Sequence, residues 1–167
     1  MELKLHAIHA DAIEAALDKA RQYRSLLEPE IAESICLDIL HVDEHNQHAL
    51  VIYILALTDQ FHHPEKQPQI KAIQKAIESL DGEYQRFYYF GLFNERRARF
   101  LISQPMSRSF SYEYFIEALQ NYQQAQQVSP EQNDEAILRW NSCIRTIQTE
   151  KLQPRRDSED VLVDMES

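Results

Sequence analysis

A chain of 167 residues with only two glycines and a net charge of −10 sets bounds before any motif is read. At this length a single domain buries about 68–70% of its unfolded surface, whereas an all-β fold needs more glycine for its positive-φ turns than is present here. No glycine-rich phosphate loop occurs, and the acidic balance argues against nucleic acid as a partner, because that binding rests on Lys and Arg neutralising phosphates.

The first six residues, Met1-Glu2-Leu3-Lys4-Leu5-His6, lack the apolar stretch of a signal peptide, and no apolar run approaches the ~18 residues of a membrane span. No membrane insertion and a cytoplasmic location are therefore expected. Ile8, Ala12, Ala15, Ala16, Ala20 and Tyr23 recur at helical steps and predict an amphipathic helix over 8–26. Pro29 suits a first helical turn, and Ala32, Ile35, Cys36 and Ile39 carry the next stripe. Asp43-Glu44-His45-Asn46 ends that helix. Residues 47–61 are apolar around most of their circumference, which predicts a helix sandwiched between neighbours.

His62-His63-Pro64 breaks the chain, and Ile70, Ile73, Ile77 and Leu80 mark a fourth helix closed by Asp81-Gly82. A fifth, aromatic-rich helix runs from about 83 to 102, followed by a loop from Ser103 to Phe110. Tyr112, Phe115, Ala118, Leu119, Tyr122 and Ala125 mark a sixth, closed by Ser129-Pro130. Ile137, Trp140, Ile144 and Ile147 mark a seventh. After Pro154 the composition turns to Arg155-Arg156-Asp157-Ser158-Glu159-Asp160, a solvated tail. The expected fold is all-α: an antiparallel helix-pair array of about seven helices over residues 1–152, with an acidic, disordered tail over 153–167. In the tail, Val161, Leu162, Val163 and Met165 form an apolar segment able to dock in a groove.

Small residues recur where helices would cross. The spacings are Ala20-x2-Tyr23-x8-Ala32-x3-Cys36-x2-Ile39, then Leu50-x2-Tyr53-Ile54-x2-Leu57, then Phe87-x2-Phe90-Gly91, and finally Ala118-x3-Tyr122-x2-Ala125-x4-Pro130. Together they resemble the tetratricopeptide repeat, a helix–turn–helix of 34 residues. The pattern departs from the family at Glu44, Ile54 and Asn94, where proline, glycine and tyrosine are usual. The resemblance implies three helix pairs in a TPR-like α–α superhelix, with the seventh helix as a solubilising cap. It also implies a concave groove lined by Arg21, His48, Val51, Leu55, Tyr88 and Leu92, an apolar strip edged by polar groups. Some members of the family grip a C-terminal carboxylate with a Lys/Asn/Arg cluster; Val51, Leu55, Tyr88 and Leu92 stand in comparable places here.

Chemistry-bearing patterns are few. His41-Val42-Asp43-Glu44-His45 matches H-x-x-E-H, a zinc-peptidase signature that needs both histidines on one helix face and a further ligand. It falls where a helix should stop, so His41, His45 and the neighbouring His48 are expected to be solvated, holding metal adventitiously at most. His6, His9, His62 and His63 fall on a chain end and a loop. Cys36 and Cys143 each lie in an apolar stripe, as buried free thiols would. No G-x-S-x-G is present, and carboxylates such as Glu33 and Asp38 belong on outward helix faces. Glu95-Arg96-Arg97-Ala98-Arg99 predicts surface pairing of Glu95 with its arginines.

No catalytic residue, metal or cofactor is therefore expected. The expected function is that of a non-catalytic adaptor, holding a peptide or helix of a partner protein in a concave groove. The alternatives are a structural subunit of a homo-oligomer or larger complex, and an escort chaperone for a secreted protein.

Overall fold

The computed structural model describes residues 1–63 and 65–156. Among these residues the secondary structure is entirely helical: α1 (Ile13–Ser25), α2 (Pro29–Val42), α3 (Gln47–Asp59), α4 (Ile70–Glu78), α5 (Glu83–Ile102), α6 (Ser111–Gln127) and α7 (Glu135–Thr149), with no strand. Short 3-10 turns at Ala10–Ala12, Gln60–His62 and Arg108–Phe110 adjoin them. The expected all-α array of about seven helices is thus what forms, with helices packing against their neighbours in sequence order.

The local chemistry explains the boundaries. His9 is extended (φ −78°, ψ 144°) and caps nothing with its side chain, so α1 starts later than the apolar spacing predicts. Ile8 packs from that extended lead against the core instead. Pro29 occupies the first turn of α2, where its missing N–H costs nothing. The helix stops at Val42, where the Asp43 N–H closes onto the Ile39 carbonyl at 2.8 Å. Asn46 then caps α3, its side-chain oxygen accepting the Ala49 N–H at 2.9 Å.

The chain divides into two compact units, the first Met1–Phe90 and the second starting at Gly91. In the first, α1 packs on α2, α2 on α3 and α3 on α4, with α1 also reaching α3. Leu17, Ala20, Cys36, Ile39, Ala49 and Ile52 form its central cluster. Alanines Ala20, Ala32, Ala49, Ala56 and Ala76 are all buried, which lets the helix axes approach closely. α3 buries residues around most of its circumference, among them Leu50, Ile52, Ile54 and Leu57, as its apolar composition predicts.

In the second unit α6 packs on α7, and α5 meets α6 at Gly91. A Cβ at Gly91 would stand 2.6 Å and 2.7 Å from ring carbons of Tyr122, so only glycine admits that ring. Gly82 meets only the flexible end of Gln85. The left-handed backbone positions go to Leu27, Gln132 and Lys151 instead, at φ 61°, 63° and 51°.

Candidate functional site

Three helices of the first unit surround one depression of about 470 Å³. α1 contributes Arg21, Arg24 and Ser25, α3 contributes His48, Val51 and Leu55, and α5 contributes Gln85 and Tyr89. Each set follows helical spacing: 21/24/25, 48/51/55 and 85/89 each present one stripe. Four of the residues expected at the groove, Arg21, His48, Val51 and Leu55, come together here.

On α5 the depression is lined by Gln85 and Tyr89, while Tyr88 is half-buried and stacks on Tyr84 with ring centroids 5.8 Å apart. Leu92 is buried, at 4% exposure.

The floor of the depression is aliphatic and its rim is polar. Arg24 is fixed by an ion pair with Asp59, Nε to carboxylate at 2.5 Å and a second guanidinium nitrogen at 3.3 Å. Arg21 pairs with Asp18 at 3.1 Å on the exposed side of α1. Tyr88 and Tyr89 meet edge-to-face at 5.1 Å, which helps hold the Tyr89 ring. The site therefore offers aliphatic contact from Val51, Ile52 and Leu55, the aromatic ring of Tyr89, and the polar side chains of Arg21, His48 and Gln85.

The second unit holds a polar cluster that sequence reasoning missed. Glu95 is not a surface residue; its exposure is 0%. Arg139 of α7 grips its carboxylate with two N–H groups at 3.0 and 2.8 Å, Arg99 donates at 2.8 Å, and the Tyr122 hydroxyl donates at 2.6 Å. Arg99 also donates to Ser142 and Thr146, both at 2.9 Å. Burial, and then the adjacent Glu95 carboxylate, hold the Tyr122 hydroxyl above the usual tyrosine range. Arg97 lies over the Tyr114 ring at 4.1 Å and donates to its hydroxyl at 2.7 Å. This cluster ties α5, α6 and α7 together, and its groups satisfy one another. Its sequence signal was weak, because Arg139 lies 44 residues from Glu95.

Other candidates fall into structural roles. Because α2 ends at Val42, His41 and His45 share no helix face, and His45 contacts Glu44 at 3.2 Å on the surface. Among the described residues no group of three His, Cys, Asp or Glu side chains is disposed to hold a metal. Glu33 accepts amide hydrogens from Gln60 at 2.7 Å and Gln69 at 3.0 Å. Both cysteines are free and buried. Burial, reinforced by Glu33, pushes the Cys36 thiol up to about 12, and burial with Glu95 does the same to Cys143. No helix among the described residues is long and apolar enough to cross a membrane. The apolar tail segment Val161–Met165 lies outside the described residues, as does Pro64.

No family model matches this chain, and no curated protein or solved structure matches it.

Proposed function

We propose that this chain is a tetratricopeptide-like adaptor that binds a segment of a partner protein in the depression between α1, α3 and α5. The single observation behind it is that alternate helices, at their own helical spacings, line one half-apolar depression in the first unit. In a helix-pair repeat the first helix of each pair faces the concave side, and α1, α3 and α5 are those first helices. The fit of Gly91 beneath Tyr122 supports the same pairing, since the repeat motif asks for a small residue where helices cross. The adaptor works without catalytic residues of its own and acts in the cytoplasm, where buried free thiols persist. Its binding residues are Arg21, His48, Val51 and Leu55 from the sequence pattern, joined by Gln85 and Tyr89.

Peptides selected from a random display library against the purified chain test this. Val51→Glu places a charge on the floor of the depression, and Tyr89→Ala removes its aromatic wall. Each should weaken binding by about tenfold or more, the weight of a lost interface anchor, with far-UV circular dichroism unchanged. Unchanged affinity in both variants would reject the assignment.

A second use, as a subunit of a homo-oligomer, is favoured by one feature. α7 exposes Leu138 (65%) and Ile137 (40%), more apolar surface than a solubilising cap requires. Light scattering over a range of concentrations separates the two, since an obligate assembly yields no stable monomer.

A further inference from the structure

A second pocket, in the second unit, gathers an unusual share of the chain's positive charge. It encloses about 390 Å³ between the start of α6 and the segment after α7. Arg108, Lys151, Arg155 and Arg156 line it, four of the 17 Lys and Arg in a chain of net charge −10. Among the described residues one carboxylate, Glu150, shares the lining, and it is paired with Arg108 at 2.8 Å. Ser109 adds a hydroxyl at the wall, while the buried Ser111 hydroxyl donates to the Arg108 carbonyl at 2.9 Å and holds the turn.

Two of the cations, Arg108 and Arg155, are held in place. Arg108 donates to the Ile102 carbonyl at 3.1 Å and to the Glu150 carbonyl at 3.2 Å, which fixes its guanidinium plane. α7 ends in a Schellman turn: the Lys151 N–H reaches the Gln148 carbonyl at 3.2 Å and the Leu152 N–H reaches the Ile147 carbonyl at 3.0 Å. Lys151 takes the left-handed position, φ 51°, where glycine would be less strained but would carry no charge. Leu152 is buried. The Arg155 N–H donates to Glu113 at 3.1 Å, and its guanidinium lies 4.0 Å from the centre of the Phe110 ring. The basic run is thus folded back along the start of α6.

We propose that this pocket is an anion site that takes a phosphate monoester, such as a phosphoserine. A monoester carries about −1.5 to −2 charges and three strong acceptor oxygens at neutral pH. Several guanidinium groups and a lysine match that better than they match a single carboxylate, because planar guanidiniums bind phosphate oxygens in pairs. The Ser109 hydroxyl adds one further donor at the wall.

Titration of the full chain with inorganic phosphate and with O-phosphoserine, read by calorimetry and by amide chemical shifts, tests the site. Saturable binding of O-phosphoserine is expected, with shifts centred on Ser109–Tyr112 and Lys151–Arg156 and affinity falling as salt rises. The double variant Arg155→Ala/Arg156→Ala should weaken it about tenfold or more. Lys151→Gly removes one cation while relaxing the turn, and should weaken binding with stability kept or raised. Binding of inorganic phosphate without O-phosphoserine would overturn the monoester assignment. Absence of saturation at millimolar ligand, or equal affinity in both variants, would overturn the site.

Discussion

At Glu95 a carboxylate is withdrawn from water and given back its hydrogen bonds by Arg139, Arg99 and Tyr122. Removing one partner of such a cluster leaves the others unsatisfied, which costs more than the pair itself contributes. Glu95→Ala should destabilise the chain by about 3 kcal/mol, the lower end for a buried ion pair, because about a third of each arginine side chain remains exposed. Tyr122→Phe should cost about 1.5–3 kcal/mol, the range for a hydrogen bond to a charged group. Urea unfolding of each variant reads both values. Nothing in Glu95-Arg96-Arg97-Ala98-Arg99 announces this burial: charge normally faces water, and the partner that permits otherwise lies on another helix. The cysteines were more legible, since each sits in an apolar stripe at helical spacing. Their thiols are raised to about 12 in the fold against an unperturbed pKa of about 8.5. Above that lower value the unfolded chain sheds protons that the folded chain keeps, so stability is full below it and falls as pH rises through the alkaline range. The loss should approach 1.4 kcal/mol per pH unit for each thiol. Denaturation midpoints between about pH 8 and 11 check this, and a midpoint insensitive to pH there would contradict it.

Helices are the scale at which sequence and structure agree best, because proline, polar clusters and apolar period act locally. Pro29 and Asn46 mark the starts of α2 and α3, and the 3-10 turn Gln60–His62 follows the end of α3. Rotation about the axis was harder to read. Residues 91–95 of α5 are all buried, so that stretch shows no clean stripe, and Tyr89 rather than Tyr88 lines the depression with Gln85. Glycine scarcity also takes on an element-scale meaning. α1 ends in a Schellman turn, with the Glu28 N–H on the Tyr23 carbonyl at 2.9 Å and the Leu27 N–H on the Arg24 carbonyl at 3.0 Å. Leu27 fills its left-handed position at φ 61° while 87% exposed. Leu27→Gly should therefore stabilise the chain by about 0.5–1 kcal/mol, relief of backbone strain exceeding the added chain entropy. Thermal unfolding measures it; a lower midpoint would mean that Leu27 makes packing contacts worth more than the strain.

Across the whole chain, acidity and helicity set the class, and the arrangement of the remaining cations sets the candidate sites. Arg21 and His48 rim the depression of the first unit, while Arg108, Lys151, Arg155 and Arg156 collect in the pocket of the second. The helical stripes made the first partly legible, because 48/51/55 and Arg21 follow from register. The second was not legible, since Arg155-Arg156 reads as the start of a solvated run until Phe110 and Glu113 are seen to hold it. The central claim is that α1, α3 and α5 of the first unit form one binding surface for a protein segment. The most direct measurement is mapping of amide shifts while a library-selected peptide is titrated into the isotopically labelled chain. Perturbations are expected to concentrate at Arg21, His48, Val51, Leu55, Gln85 and Tyr89, and to be lost in Val51→Glu. Perturbations centred elsewhere, or retained in that variant, would contradict that claim.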